Sequence, residues 1–272
     1  MYAGGIRKLI TELNAENQAV YHLPIGEHKI LLNEYIGQNI QLKFAGKINC
    51  IACQRSIKKT FNQGYCFPCV KTLAACDICI VRPELCHHHL GTCREPEWGL
   101  TNCMQPHVVY LSNSSSLKVG ITRLSNIPSR WIDQGAIQAL ALMQVKSRYI
   151  SGLVEVMCKK TLNDRTNWRQ MLKEDPAPID LEANRVSILK QISPELEVLQ
   201  QAHGQDAYTY AQSKEVTIQY PVLAYPSTIK SLNFDKTPSI SGPLVGIKGQ
   251  YLILEGGVLN MRKFAGYYLE FE

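Results

Sequence analysis

The chain of 272 residues is long enough for one large domain or for two to three small ones. Its hydrophobic content of 45% is that of an ordinary packed core, and its charged content of 19% excludes a disordered polyelectrolyte. The net charge of +6 gives a mild preference for anionic partners.

The N-terminus lacks the apolar core of a secretory signal, and no run approaches the length of a membrane span. We therefore expect no membrane association and a cytoplasmic location. In a reducing cytoplasm the ten cysteines would remain thiols, which favours metal ligands over a disulfide scaffold.

Residues 1–49 are predicted to form β-strands. Residues 20–24 and 30–32 are short runs of β-forming side chains with a Gly-Glu turn between them. Residues 40–44 alternate apolar and polar side chains, which is typical of a half-buried strand. This strand leads directly into a cysteine-rich segment.

Nine of the ten cysteines lie between residues 50 and 107. Two Cys-x-x-Cys pairs, Cys50/Cys53 and Cys66/Cys69, are separated by twelve residues. Each pair lets a tight turn aim two thiolates at one tetrahedral ion, so the spacing predicts a four-cysteine zinc ribbon. Four thiolates leave no open coordination position, and we expect a structural ion that stabilises a loop-rich segment.

A second zinc site is predicted further along the segment. Cys76 and Cys79 form another Cys-x-x-Cys pair, and more donors follow than one ion needs. The remaining ligands are expected among Cys86, His87, Cys93, Cys103 and His107, and the favoured set is Cys86 or His87 with Cys93 or Cys103. Cys158 lies outside the segment on an apolar helical stripe and is expected to be a core residue.

Residues 43–71 contain six basic side chains and no acid. Part of this positive charge compensates the negative zinc–thiolate centre. The remainder favours contact with phosphate groups, and Lys58 and Lys59 are the expected contacts.

Residues 107–175 change character. Residues 108–111 and 117–121 are predicted to form the two strands of a hairpin around a polar Asn-Ser-Ser-Ser turn. Pro128 suits the first turn of a short helix, which Gly135 is expected to end.

A second, amphipathic helix is predicted at residues 150–158, where apolar side chains follow helical spacing. Glu155 falls away from this apolar stripe. Residues 175–178, rich in proline, are a predicted linker. Residues 181–203 are expected to be helical in two pieces, with Pro194 at the start of the second.

Residues 215–272 are predicted to be β-rich. Residues 251–255 and 258–262 flank a Gly-Gly pair that suits a two-residue hairpin turn, and residues 268–271 are expected to form a last strand. No long internal repeat is evident. The β-rich segments at the two ends are expected to pair in one barrel.

A resemblance to a known superfamily begins at the predicted hairpin. The run Val-Val-Tyr that ends at Tyr110, followed by Lys-Val-Gly from Lys118 to Gly120, resembles the paired motif of the GIY-YIG nucleases. Arg130 and Glu155 then lie on successive predicted helices, where that superfamily carries its arginine and its metal-binding glutamate.

The resemblance covers residues 107–170 and implies hydrolysis of a phosphodiester. Tyr110 would deprotonate or position the attacking water, and Arg130 would stabilise charge on the phosphoryl oxygens. Glu155 would hold Mg²⁺ or Mn²⁺. Lys118 would add positive charge to the site.

The chain also resembles an uncharacterised bacterial family. The resemblance rests on the run Gly-Thr-Cys-Arg-Glu-Pro within residues 91–99, on Lys-Val-Gly-Ile-Thr-Arg at 118–123, and on Arg-Trp-Ile-Asp-Gln-Gly-Ala at 130–136. This second resemblance implies no particular activity.

These observations favour a zinc-containing, nuclease-like protein that acts on DNA or RNA. Lys118 stands where the superfamily carries a tyrosine, which favours an alternative, a non-catalytic nucleic-acid-binding module on the same fold. A structural or partner-binding zinc protein is the third hypothesis. The expected nucleic-acid contacts are Lys58, Lys59, Lys118, Arg123 and Arg130.

Together the patterns predict an α+β fold in four parts. The parts are a β-rich segment at 1–49, a zinc-binding region at 50–106, a GIY-YIG-like α/β core at 107–175, and a helical linker with a β-rich domain at 176–272.

Overall fold

The computed structural model describes residues 1–162 and 166–272. Within these residues the chain has the predicted α+β fold, with three antiparallel sheets and flanking helices. The strands are β1 (Tyr2–Gly5), β2 (Ile10–Leu13), β3 (Ala19–Ile25), β4 (His28–Leu31), β5 (Asn39–Asn49), β6 (Ser56–Ile57), β7 (His107–Asn113), β8 (Leu117–Arg123), β9 (Gln138–Val145), β10 (Tyr208–Tyr210), β11 (Val216–Thr217), β12 (Ser239–Lys248), β13 (Tyr251–Leu254), β14 (Gly257–Asn260) and β15 (Tyr267–Phe271). The helices are α1 (Phe67–Thr72), α2 (Pro96–Asn102), α3 (Ser129–Asp133), α4 (Arg148–Cys158), α5 (Trp168–Met171) and α6 (Leu181–His203).

The largest sheet joins the two ends of the chain. Its strand order is β1-β15-β5-β12-β13-β14, and β6 adds to β5. Strands from both ends therefore pair in one sheet, while the expected barrel and the four-part division of the chain stay predictions. A smaller sheet, β2-β3-β4, packs into the same apolar core.

A short structural repeat lies within these β-rich ends. The hairpin β3–β4 is followed by a 3-10 turn, Leu32–Tyr35, and then by β5. The hairpin β13–β14 is followed in the same way by a 3-10 turn, Met261–Phe264, and then by β15. A glycine with positive φ, Gly37 in one copy and Gly266 in the other, links each turn to its strand.

The central sheet has the order β10-β9-β7-β8, with β11 also paired to β9. Its strand β7 is buried on both faces. Val108 and Tyr110 face the core shared with the large sheet, whereas Val109 and Leu111 pack with α4 and α6. The hairpin predicted from the sequence is confirmed as β7–β8, with Tyr110 opposite Gly120.

Helices α3, α4 and α6 lie where helices were predicted, with one correction, whereas α1, α2 and α5 were not predicted. The short helix α3 follows Pro128 and precedes Gly135, whose φ is +67°. The prediction of two helical pieces at 181–203 is wrong, because α6 is one helix with Pro194 inside it. An internal proline costs about 3 kcal/mol. Five apolar residues on both sides of it are buried against the central sheet, and this packing outweighs the local break: Leu181, Ile188, Ile192, Leu196 and Leu199.

The cysteine-rich segment consists of α1, α2 and several 3-10 turns, as its turn-rich composition predicts. One turn, Pro83–Leu85, lies directly against α4. A Cβ atom at Gly152 would be 2.3 Å from the backbone nitrogen of Glu84, so only glycine allows this approach. No helix in the described part of the chain combines the length and the apolar character needed to cross a membrane.

Candidate metal centre and buried polar cluster

The first predicted zinc site is assembled in the structure. The Sγ atoms of Cys50, Cys53, Cys66 and Cys69 all lie within 4.8 Å of one another. The first pair follows the end of β5, and the second pair lies at the start of α1, where Pro68 occupies the first turn. The four cysteines form a group that could bind a structural zinc ion, because four converging thiolates suit tetrahedral coordination.

The surroundings of Cys50 and Cys53 favour thiolates, whereas hydrogen bonds to the other sulfurs raise the pKa of Cys69. Burial would raise the pKa of Cys50, but hydrogen bonds from the backbone N–H groups of Cys53 and Cys66 help to lower that pKa to about 6. The N–H of Cys66 lies 3.2 Å from the sulfur of Cys50. The Arg55 guanidinium donates to the sulfur of Cys53 over 3.2 Å. One of the six basic side chains of residues 43–71 therefore contacts the four-cysteine group directly.

The later cysteines separate into different environments. Cys79, Cys86 and Cys103 are buried together, and the Cys103 thiol donates to Cys86 and lowers its pKa to about 5. Cys76 lies apart from them. Burial raises the pKa of Cys76, and a hydrogen bond to Asn62, in the first zinc segment, opposes that rise.

The remaining predicted ligands lie around the same small cavity. The cavity is lined by Ala74, Asp77, Cys79, Cys86, His87, His88, Cys93, Trp98 and Cys103. Ligand atoms of Asp77, Cys79 and His87 lie within 4.8 Å of one another. Asp77 was not predicted as a ligand, although its position two residues before Cys79 could have indicated that role. Cys158 is buried in α4 and packs in the core, as expected.

The hairpin β7–β8 borders a buried polar cluster. The Tyr110 hydroxyl donates to Gln134 Oε1 over 2.9 Å, and Lys118 Nζ donates to the same oxygen over 2.9 Å. Lys118 also donates to the Thr166 hydroxyl over 2.6 Å. Gln134 and Thr166 were not among the predicted site residues. Gln134 could have been predicted, because it follows Arg130 by four residues and would share a helix face with it.

Gly120 is required by the position of Tyr110. A Cβ atom at Gly120 would lie 2.7 Å from both Cζ and the hydroxyl oxygen of Tyr110. The tyrosine ring therefore lies across the glycine of the opposite strand. The edge of this ring also meets Trp131 of α3, with ring centroids 6.0 Å apart.

Charged groups from two helices act on the Tyr110 hydroxyl. Burial raises the pKa of Tyr110, while the charge of Arg130 and a hydrogen bond with it oppose the rise. The negative charge of Glu155 adds to the rise. Glu155 is 8% exposed and pairs with Lys159 over 3.1 Å, so it is not a solvated surface side chain.

The structure joins Tyr110 and Lys118 through Gln134, whereas Arg130 and Glu155 lie on α3 and α4 and act on the pKa of the Tyr110 hydroxyl. Tyr110 and Lys118 are almost fully buried, while Arg130 is half-buried. Their roles stay predictions.

The predicted nucleic-acid contacts lie on several surfaces. Lys58 is exposed beside an open groove of about 710 Å³ between β5 and residues 234–238. Lys59 is exposed with its ammonium 5.1 Å from the centroid of the Phe61 ring. Arg123, at the end of β8, donates to Asn102 over 2.6 Å. These contacts stay predictions.

The fold and the site define an α+β protein with a cysteine-rich region and a four-cysteine group that could bind zinc. A family model described as "Protein of unknown function (DUF2797)" matches residues 37–269. The chain belongs to this family. Comparison with curated proteins and with solved structures found no significant match.

Proposed function

We propose that this protein is a zinc-stabilised, metal-dependent phosphodiesterase that acts on nucleic acid through a core resembling the GIY-YIG nucleases. The observation that carries the proposal is the buried polar cluster at Tyr110. Tyr110 of β7 and Lys118 of β8 both donate to Gln134 Oε1 over 2.9 Å. Burial raises the pKa of the Tyr110 hydroxyl most, while the charge of Arg130 lowers it and that of Glu155 raises it.

The order of elements around Tyr110 supports the proposal. A hairpin, a short helix with Arg130 and a helix with Glu155 follow one another as the resemblance implies, and the structure has a further strand between the two helices. The third strand, β9, pairs with β7 on the side opposite β8. The requirement for glycine at position 120 gives a physical reason for the last residue of the Lys-Val-Gly motif.

The chemical roles follow from burial and charge. Because burial raises its pKa, Tyr110 keeps its proton at neutral pH and positions a water molecule instead of abstracting a proton. The Arg130 guanidinium would bind the phosphoryl oxygens. Glu155 would hold Mg²⁺ or Mn²⁺, which supplies Lewis acidity, and in doing so would exchange its ion pair with Lys159 for the metal.

A non-catalytic nucleic-acid-binding module is the second candidate. Lys118 favours it, because its ammonium replaces a tyrosine of the superfamily and already donates to Gln134 and Thr166. In this alternative Arg130 and the exposed Lys58 and Lys59 would contact phosphates without hydrolysis.

The test is a cleavage assay with Mg²⁺ or Mn²⁺ on labelled single- and double-stranded DNA and RNA. We expect cleavage by the wild type, its loss in Glu155→Gln, and a decrease of about 10²–10³-fold in Arg130→Ala. Glu195→Gln is the matched control, because Glu195 is a surface glutamate of α6 that pairs with Lys160. Cleavage that persists in Glu155→Gln would exclude the assignment, and salt-sensitive binding without cleavage would support the second candidate.

We further propose a cytoplasmic location. All ten cysteines are free thiols in the structure, and those of the four-cysteine group would need a reducing compartment to remain ligands. Cell fractionation tests this assignment.

A further inference from the structure

A second group of ligand atoms lies outside the four-cysteine centre. An oxygen of Asp77, the sulfur of Cys79 and a ring nitrogen of His87 lie within 4.8 Å of one another. Asp77 and Cys79 are buried. The Asp77 carboxylate accepts the backbone N–H of Cys79 over 3.4 Å, which holds both side chains on one side of a 3-10 turn. Three different donor types thus converge in a largely water-free place.

The Thr92 hydroxyl lies 2.7 Å from Nδ1 of His87 and 3.3 Å from the backbone oxygen of the same residue. In the tautomer with the proton on Nδ1, the Thr92 oxygen accepts that proton and its own proton goes to the backbone oxygen. Nε2 then has a lone pair for a metal ion. Such a hydrogen bond to the distal nitrogen is typical of metal-bound histidines.

The free nitrogen faces another acceptor. Nε2 of His87 lies 3.6 Å from Oδ2 of Asp77, so two atoms with lone pairs face each other beyond hydrogen-bond distance. A cation between them relieves this repulsion. Two tetrahedral zinc ligands with bonds of about 2.0–2.2 Å lie about 3.4 Å apart, which agrees with the observed separation. Arg94 Nε lies 2.7 Å from the same carboxylate oxygen, and a carboxylate has further lone pairs that can bind an ion.

Two further buried thiols line the same cavity and are the candidates for a fourth ligand. Cys86 and Cys103 are buried beside Cys79 and line the cavity that Asp77 and His87 also line. A set of sulfur, nitrogen and oxygen donors suits zinc, whereas magnesium and calcium prefer oxygen alone.

We propose that Asp77, Cys79 and His87, completed by one thiolate of the Cys86–Cys103 pair, hold a second zinc ion. Asp77 takes the place that the Cys-x-x-Cys pattern assigned to Cys76. Because Cys76 lies toward Asn62, it takes no part in this site.

The site fastens the cysteine-rich segment to α4. Arg148, the first residue of α4, donates to the backbone oxygens of Cys79 and Ile80 over 3.1 and 2.5 Å. The backbone N–H of Arg148 donates to the oxygen of Cys103 over 2.7 Å. An ion that holds Cys79 to the Cys86–Cys103 pair therefore fixes the start of the helix that carries Glu155. The assignment is separate from the proposed nuclease activity.

Metal content measures the proposal directly. We expect two zinc ions per chain in protein purified without chelator, and one in His87→Gln and in Cys66→Ser. His89→Gln is the matched control, since His89 is an exposed histidine of the same turn with its ring against Tyr149, and it should keep two. Titration of the metal-free chain with Co²⁺ should show thiolate-to-cobalt absorbance that saturates at two equivalents, and at one in His87→Gln.

Two results would overturn the proposal. One is a wild-type chain that binds a single zinc and saturates with one equivalent of Co²⁺. The other is His87→Gln that keeps two ions. If a variant fails to fold, the number of zinc ions bound per wild-type chain still tests the proposal. Zinc content and Co²⁺ titration are both independent of nucleic-acid cleavage.

Discussion

His107, the first residue of β7, is completely buried, and its Nδ1 donates to the backbone oxygen of Gln105 over 2.7 Å. Burial lowers the pKa of His107 from 6.5 to about 4, against the effect of this hydrogen bond, and the positive charges of Arg148 and Arg123 add to the decrease. The imidazole is therefore neutral at pH 7 in the folded chain.

This lowered pKa predicts a loss of stability in acid. Between pH 6.5 and 4 the unfolded chain binds a proton at His107 that the folded chain does not, so stability falls as the pH falls. The contribution is fully present above pH 6.5, and its loss amounts to about 3 kcal/mol. We expect His107→Asn, which keeps a donor for Gln105, to lack this component in urea unfolding between pH 7 and 4. If the difference in unfolding free energy between the wild type and His107→Asn does not change with pH, the prediction is wrong.

Single residues were predictable from sequence where their surroundings are local. The cysteines of the first zinc group could be named because two residues between ligands suffice to define a turn. Gln134 and Asp77 could not be named as easily. Gln134 meets Lys118 only because α3 packs beside β8, and Asp77 meets His87 only after the intervening turns have folded.

Helix α4 shows how an element is shaped by two partners. Its apolar stripe packs on the central sheet, and its opposite side meets the turn Pro83–Leu85. Gly152 lies at this second contact. A Cβ there would be 2.3 Å from the nitrogen of Glu84 and 2.5 Å from the carbonyl carbon of Pro83, both backbone atoms that cannot rotate away.

We expect Gly152→Ala to lower the free energy of unfolding by about 2 kcal/mol. Overpacking costs about 1–3 kcal/mol or more, whereas alanine returns about 1 kcal/mol of helix propensity. Val156→Ala is the control on the same helix, because Val156 is 41% exposed, and its effect should be within about 0.5 kcal/mol. Denaturant unfolding measures both variants. Equal stability of Gly152→Ala and wild type would show that the helix and the turn separate freely.

At the scale of elements, sequence patterns located strands and helices well where both ends carry local signals. The hairpin β13–β14 was expected, although its turn is at Glu255-Gly256, one residue earlier than predicted. The break expected at Pro194 is absent, because α6 is held along its length by the central sheet. Packing against distant strands outweighs the low helix propensity of Pro194.

The whole molecule depends on a sheet that its two ends build together. Strand β15 lies between β1 and β5, whereas β1 is at the edge. Three large side chains of β15 are buried: Tyr267, Leu269 and Phe271. Burial of three such side chains contributes about 5–9 kcal/mol, which is comparable to the total stability of a domain.

Deletion of residues 267–272 should therefore abolish folding, since it removes a central strand. Deletion of residues 1–5 removes only the edge strand and should leave a folded protein of lower stability. Circular dichroism and the cooperativity of thermal unfolding distinguish the two outcomes. A cooperative transition in the chain without residues 267–272 would contradict the assigned importance of β15.

The positions of the zinc-binding cysteines, the β7–β8 hairpin and the limits of α3 were determined by local sequence, because spacing, alternation and proline or glycine signals act over a few residues. The union of the two β-rich ends, the burial of Glu155 and the meeting of Asp77 with His87 were determined only by tertiary packing. These features join residues that short-range patterns do not connect. The free energy that holds them comes from apolar burial and hydrogen bonds between distant segments.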